Sequence, residues 1–220
     1  MALKILYFDE LKGFSRSKVM VVLWAGLPLL SVAFRFFRPD TEGLPLLTLV
    51  AILLSTIGGT VAAVLLSTTI ASERAKGVYD LFLVRPVNRS QLLLAKFLAA
   101  FSSLLVAVIL SVLLGVAIEA VSGALVPDAL IKQNGESLLI SITGIAVACS
   151  IGVFFGIVMN TVAVAAILAA YLGNQIIGAL ILPLALGVSL NLVVYCILVG
   201  IFVPALFLWI SSMIYKRKRV

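Results

Sequence analysis

Six ionisable side chains are grouped within residues 71–91 of this 220-residue chain, between two long apolar runs. They are Glu73, Arg74, Lys76, Asp80, Arg85 and Arg89. Each charge would cost roughly 2.5–3.5 kcal/mol at the centre of a bilayer, so the group as a whole cannot lie in lipid. Two interpretations fit this charged segment: a solvated loop of a multispanning protein, or an element that docks on another protein.

Local patterns predict that the charged segment contains a short amphipathic helix. Its residues separate onto two helical faces, Ala71, Ala75, Val78 and Phe82 on one and Glu73, Lys76 and Asp80 on the other. Pro86 lacks an N–H and disfavours helical angles at the residue before it, so this helix must end there. Asn88 is a favourable N-cap with Gln91 in the capping-box position, so a second helix is predicted to begin at this point.

The rest of the sequence argues against an enzyme. It contains no histidine, which removes Ser-His and Cys-His nucleophilic sites, histidine-rich zinc sites and most haem ligation. Cys149 and Cys196 both lie inside apolar runs and indicate neither a disulfide framework nor a metal site. Neither GxxxxGKS nor GxxxxGKT occurs, so a separate protein would have to hold any nucleotide. We therefore expect no catalytic, cofactor-binding or metal-binding residues.

Composition indicates a membrane protein. The chain is 63% hydrophobic and only 11% charged, which lies far outside the range of soluble globular domains. A net charge of +7 could suggest nucleic acid as the partner of a soluble protein. Here the basic residues are distributed by loop, which reports membrane topology instead. We therefore expect the chain to contact the lipid bilayer and not nucleic acid.

Apolar runs predict six membrane spans, since about 20 helical residues cross a hydrocarbon core of about 30 Å. The fold class is therefore all-α, a polytopic bundle forming one domain over residues 1–220. Its parts are an interfacial helix at 1–18, spans one and two within 19–71, a cytoplasmic loop at 72–90, spans three to six within 91–214 and a basic tail at 215–220. The single spans are predicted at 19–37, 44–71, 91–121, 138–159, 162–182 and 191–214. Residues 183–190 fit either a membrane-edge turn or a re-entrant hairpin.

The first 18 residues predict a helix that lies flat in the headgroup layer. Leu3, Tyr7, Leu11 and Phe14 share one helical face, and charges occupy the rest. A frayed tail is the alternative. No small-residue cleavage site follows, so the segment is not a secretory signal peptide.

The distribution of positive charge predicts the orientation. Six spans place both termini and the charged segment on one side, which then carries thirteen of the sixteen Lys and Arg residues. The positive-inside rule predicts that this side is the cytoplasm and that the protein lies in the cell membrane. Lys96, one turn into the third span, is expected to extend its side chain back to the same surface.

The spans offer few polar groups. Glu119 lies near the outer end of the third span, where an interfacial carboxylate and a substrate contact both remain possible. Asn174 and Gln175 are mid-span candidates for a pathway lining, although hydrogen bonding between helices explains them equally well. A stripe of small residues recurs every four positions and predicts close helix packing, within the subunit or against a second copy. Its members are Gly144, Ala148, Gly152 and Gly156.

The sequence SERAKGVYDLFLVRPVNRSQLLLAKFLAA resembles the first cytoplasmic loop of ABC type-2 transporter permeases. The positions that carry the resemblance are Glu73, Arg74, Gly77, Leu81, Phe82, Pro86, Arg89, Ala95, Lys96 and Phe97. Val78 departs from the usual threonine or serine, and Tyr79 and Asp80 are not the commonest residues of the family either. The resemblance implies that this loop is a short coupling helix resting on an ATPase subunit. The implied coupling residues are Glu73, Arg74, Gly77, Val78, Asp80, Leu81, Phe82, Pro86 and Arg89.

The same resemblance implies the function and the partners. The chain would be the permease subunit of an ATP-driven ABC transporter, an exporter that forms its pathway as a dimer. ATP and Mg would be bound by separate ATPase subunits, and the chain itself would be no enzyme. The alternatives are an ATP-independent secondary carrier or channel, and a permease-like subunit of cytochrome maturation.

Overall fold

A computed structural model describes residues 2–37, 46–76, 89–121, 128–185 and 191–217. These ranges contain helices and short connections and no strand, which confirms the all-α prediction for the described residues. The seven helices are α1 (Ala2–Ser15), α2 (Lys18–Phe37), α3 (Leu46–Ala75), α4 (Arg89–Val121), α5 (Asp128–Val158), α6 (Val162–Ala185) and α7 (Leu192–Arg217).

Helices α3 and α5 form the most closely packed pair of the bundle. A Cβ atom placed on Gly152 would lie 2.6 Å from the carbonyl oxygen of Ala63, and one placed on Gly59 would lie 3.1 Å from the Cβ of Ala148. Further along both helices, a Cβ on Gly156 would lie 2.9 Å from the Cβ of Ile70. Small residues therefore let the two backbones touch, and the order of contacts shows that α3 and α5 run parallel.

Hydrogen bonds fix α1 and α2 against α4. The Trp24 indole Nε1 donates to the carbonyl oxygen of Ser103 at 2.9 Å, and the Ser111 hydroxyl donates to that of Leu27 at 3.0 Å. From the first contact to the second, the residue numbers increase on both helices, so α2 runs parallel to α4. The Tyr7 hydroxyl donates to Ser102 Oγ at 3.0 Å.

Several helix ends meet at one end of the bundle, which we call the charged end. Ser212 near the end of α7 donates to Ser90 at the start of α4, with 3.0 Å between the hydroxyl oxygens. The last turn of α3 contacts the beginning of α4 through Glu73 and the end of α5 through Arg74. The C-terminal ends of α3, α5 and α7 and the N-terminal end of α4 therefore all lie at the charged end.

The outer surface of the bundle is apolar. Five segments are long and apolar enough to cross a membrane in the described residues: Ile52–Ala75, Ser90–Leu114, Gly135–Val158, Val162–Ala179 and Leu192–Tyr215. Helix α2 contains a shorter apolar stretch, Lys18–Leu30. Along α7, Ile201, Phe202 and Trp209 are all more exposed than buried. Such continuous apolar exposure fits contact with lipid and supports a multi-pass membrane protein.

Several helices extend beyond the predicted spans, α3 and α5 the furthest. Helix α3 continues to Ala75, so the first residues of the charged segment form its last turn. Helix α5 begins at Asp128, ten residues before the predicted span, because polar residues can form a helix that projects past the hydrocarbon and an aspartate stabilises a helix N-terminus. Residues 77–88, which carry most of the predicted coupling helix, lie outside the described residues. Residues 186–190 lie outside them too, and α6 includes residues 183–185.

Candidate functional site

A buried lysine joins three helices at the charged end. Lys96 lies in the second turn of α4, and only 2% of its side chain is exposed. Its Nζ lies 2.6 Å from Oε1 of Glu10 on α1 and 2.8 Å from Oε1 of Glu73 on α3. The two carboxylates keep partial contact with the surface, with 22% and 26% of their side chains exposed. A lysine this deeply buried needs such partners, because an unpaired ammonium would be strongly destabilising.

This lysine triad, defined by Lys96, Glu10 and Glu73, corrects one sequence expectation. Lys96 does not extend to the surface but is buried and ion-paired within the chain. Glu73, predicted to be a coupling residue, accepts a hydrogen bond from Lys96 and keeps a partly exposed carboxylate. Sequence reasoning missed Glu10, which lies 86 residues away from its lysine. The available signal was that a lysine inside a span needs an acidic partner somewhere in the chain.

The neighbouring residue, Arg74, ties α3 to the end of α5. Its guanidinium donates to the carbonyl oxygen of Ile157 and, at 2.7 Å, to Oδ1 of Asn160. The last carbonyls of a helix lack partners within the helix and carry partial negative charge, so a guanidinium stabilises them. Asn160 lies in the short connection between α5 and α6. Adjacent residues of α3 are thus held in opposite directions, Glu73 toward α1 and α4, and Arg74 toward α5.

The carboxylates of the triad are occupied by its lysine. Both carboxylates of the triad bind the same ammonium group, so neither is free to act as a general base. An open groove of about 420 Å³ lies beside them, between α1 and α3. Its walls include Phe14 and Thr68. No group of three or more His, Cys, Asp or Glu side chains that could bind a metal occurs in the described ranges.

Two of the predicted pathway residues, Asn174 and Gln175, lie on α6, and the third, Glu119, lies on α4. Asn174 and Gln175 are exposed on the outer face of α6. They lie one turn from Tyr171, which is 63% exposed. Glu119 belongs to the last turn of α4, and its side chain lies outside the described residues. Both amides therefore face away from the described part of their own bundle.

The stripe of small residues on α5 packs against α3 of the same chain. A Cβ on Gly144 would lie 3.0 Å from the Cβ of Ser55, which extends the contacts of Gly152 and Gly156 described above. Helix α3 carries a matching stripe of small residues: Ser55, Gly59, Ala63 and Ser67. Of the predicted coupling residues, Glu73 and Arg74 are described in full, and Arg89 is described only as the first residue of α4. The others fall outside the described residues: Gly77, Val78, Asp80, Leu81, Phe82 and Pro86.

A family model described as "ABC-2 family transporter protein" matches residues 10–175 of this chain. The match begins at Glu10 and contains Glu73, Arg74, Lys96 and Asn160, so it includes the lysine triad and the arginine contact described above. No curated protein matches the chain.

Proposed function

The chain belongs to the ABC-2 family of transporter proteins, and on that premise we propose that it is the membrane-spanning permease subunit of an ATP-driven exporter. Permeases of this family form the membrane part of ABC transporters and are not themselves catalytic. In this proposal separate ATPase subunits bind ATP and Mg, and the permease converts their closure into a change of access across the membrane.

We propose six spans, α2 to α7, with both termini in the cytoplasm of the cell. Six consecutive crossings require spans one and three to be parallel, and spans two and four to be parallel. The contacts of Trp24 and Leu27 with α4 support the first relation. The contact of Gly59 with α5 and that of Gly152 with α3 support the second. The charged end then holds most of the Lys and Arg residues, which favours the cytoplasmic side.

The observation that carries the proposal is the double anchoring of the last turn of α3. Residues 77–88, which follow that turn, would rest on the ATPase as a coupling helix. A displacement of this loop acts on Glu73 and Arg74, and through them on α1, α4 and α5 together. In this proposal Glu73 and Arg74 transmit the movement, whereas docking belongs to residues further along the loop, such as Leu81 and Phe82.

We propose that the pathway forms between two permease subunits and is lined by the outer face of α6. Asn174 and Gln175 are exposed there, and amides facing hydrocarbon without a partner are costly. A second permease subunit or a water-filled pathway would satisfy them. Glu119 would lie near the outer exit of the same pathway.

Replacing Leu81 and Phe82 together with serine should abolish stimulation of the ATPase partner, because the apolar contact of the coupling helix is removed. The measurement is ATP hydrolysis by the reconstituted complex, with the purified permease alone expected to hydrolyse none. Lys76→Ser, an exposed change at the base of the same loop, is the control and should retain most of the stimulation. Substrate transport by the permease alone under an ion gradient would instead identify an ATP-independent carrier.

A cysteine at position 171 should form an intermolecular disulfide in native membranes, since Tyr171 lies on the proposed subunit interface. The product should have the mass of two copies, or of one copy joined to a second permease. Phe202→Cys is the matched control, because Phe202 is 71% exposed on α7 and should face lipid. The native thiols, Cys149 and Cys196, are buried. Cross-linking at 202 but not at 171 would move the interface to α7.

A further inference from the structure

The connection between α5 and α6 consists of residues 159–161 at the charged end. The N–H of Met159 still bonds to α5, donating to the carbonyl oxygen of Phe155 at 3.0 Å. On the other side, the carbonyl oxygen of Thr161 accepts the first bond of α6 from the N–H of Ala165 at 3.1 Å. Three residues are fewer than one helical turn, so this connection cannot form a coupling helix of its own. Any movement of α6 that starts at the charged end must therefore come from a neighbouring element.

Asn160, the middle residue of this connection, is held by α3. Its Oδ1 accepts a hydrogen bond from Nη2 of Arg74 at 2.7 Å, and Nη1 of the same guanidinium donates to the carbonyl oxygen of Ile157. The guanidinium is planar with its donors in a fixed fork, so it sets the orientation of both acceptors together. Asn160 is exposed, so water can replace this bond at little cost in folding free energy. The contact is thus better suited to fixing a position than to stabilising the fold.

Helix α6 packs on the bundle along one narrow line. The buried residues of that line recur every four positions: Ala165, Ala169, Gly173 and Ile177. Only 22% of its membrane segment Val162–Ala179 is buried, compared with 72% of Gly135–Val158 in α5. A contact along one line opposes rotation less than a contact around the whole helix does. Asn174 and Gln175 are exposed beside this line, so a rotation of α6 would change the direction in which they face.

We propose that Asn160 is a positioning residue that makes α6 turn together with the last turn of α3. The inference rests on the proposed function, in which the ATPase displaces the loop after α3 and the outer face of α6 lines the pathway. The guanidinium of Arg74 passes the displacement to Asn160, and Asn160 passes it to the first turn of α6. Asn174 and Gln175 lie about 20 Å further along the helix and turn with it. The proposal adds α6 to the helices that the coupling loop moves.

The complex of the permease with its ATPase is reconstituted in liposomes, and a Gln175→Cys reporter is labelled with a water-soluble maleimide with and without ATP. The native thiols are buried. ATP should change the labelling rate by at least about fivefold, the lower end of the usual coupling between two sites. Asn160→Leu, similar in size but without an acceptor, should abolish most of that change, and Asn160→Asp should restore it. Met159→Leu, a volume-conserving change at the neighbouring position, is the control and should leave it unaltered.

ATP hydrolysis and the unfolding temperature are measured on the same samples. Asn160→Leu should keep both near the wild-type values while losing the change in labelling, which a merely structural residue would not do. Loss of ATPase stimulation and of the labelling change together would assign Asn160 a structural role and overturn the inference.

Two other results would overturn the inference and leave the proposed function standing. One is an ATP-dependent change at position 175 that is as large in Asn160→Leu as in the wild-type chain. The other is a labelling rate that ATP does not alter in a wild-type complex with normal ATPase stimulation. A wild-type permease that stimulates no ATPase would instead contradict the proposed function, and this inference with it.

Discussion

Replacing Lys96 with methionine should destabilise the folded chain by about 3 kcal/mol, since removing one partner of a buried ion pair leaves uncompensated charge. Here two carboxylates, Glu10 and Glu73, would face each other without the ammonium that separates them. Their partial exposure limits the cost, which places the expected value at the lower end of the usual range. The measurement is thermal or denaturant unfolding of the purified chain in one lipid composition.

Two further variants separate charge from packing. Lys76→Met removes an exposed lysine close to the same end of α3 and should change the unfolding free energy little. The triple variant Glu10→Gln, Glu73→Gln and Lys96→Met has no charge in the cluster and should recover most of the loss. If Lys96→Met alone unfolds like the wild-type chain, the triad does not contribute to stability. The same variants should then be tested for stimulation of the ATPase. Because the triple variant is expected to keep most of its stability without the ion pairs, it isolates the contribution of those ion pairs to stimulation.

Replacing Gly152 with leucine should prevent α3 and α5 from packing. A Cβ at this position would lie 2.6 Å from the carbonyl oxygen of Ala63 and 2.8 Å from its Cα, and backbone atoms cannot turn aside as a side chain can. Overpacking a close-packed core typically costs 1–3 kcal/mol, so we expect a loss of at least about 3 kcal/mol at a backbone contact. The readout is the yield of monodisperse protein after extraction, together with its unfolding temperature.

Gly26→Leu is the matched control for this change. Gly26 is exposed on α2, and a Cβ placed there meets no atom within 4 Å. The variant should fold with wild-type yield, because the longer side chain projects outward and leucine favours a helix more than glycine does. A normal yield for Gly152→Leu would mean that the α3 and α5 backbones do not touch in the folded protein.

The sequence predicted much of the architecture because apolar runs and charges carry direct information about membrane crossing. The all-α class and the ABC-2 family are confirmed. The close packing of α5 could be anticipated, since glycines at four-residue spacing are rare without a packing reason. The identity of its partner helix, α3, could not be predicted, because a helix that is apolar on all sides does not indicate which face meets which neighbour.

The candidate site was harder to predict than the fold. Glu73 and Arg74 were singled out as coupling residues, but their contacts with Lys96, Ile157 and Asn160 of the same chain were not predicted. A charged residue beside a loop looks the same in sequence whether it points to a partner protein or to its own bundle. Only the tertiary structure shows that Glu10 and Lys96 are neighbours, since nothing in their local sequences pairs residues from two distant helices.

The matched stripes of small residues on α3 and α5 restrict how this pair can move. With Ala63 lodged against Gly152, sliding along the common axis would require a jump of one four-residue repeat, about 6 Å, over bulkier side chains. Smaller displacements are blocked by backbone contact, so we expect α3 and α5 to tilt or rotate together as one rigid body. A displacement of the last turn of α3 would then move the N-terminal ends of α3 and α5 at the opposite surface of the membrane. The direction of that movement would depend on the position of the pivot.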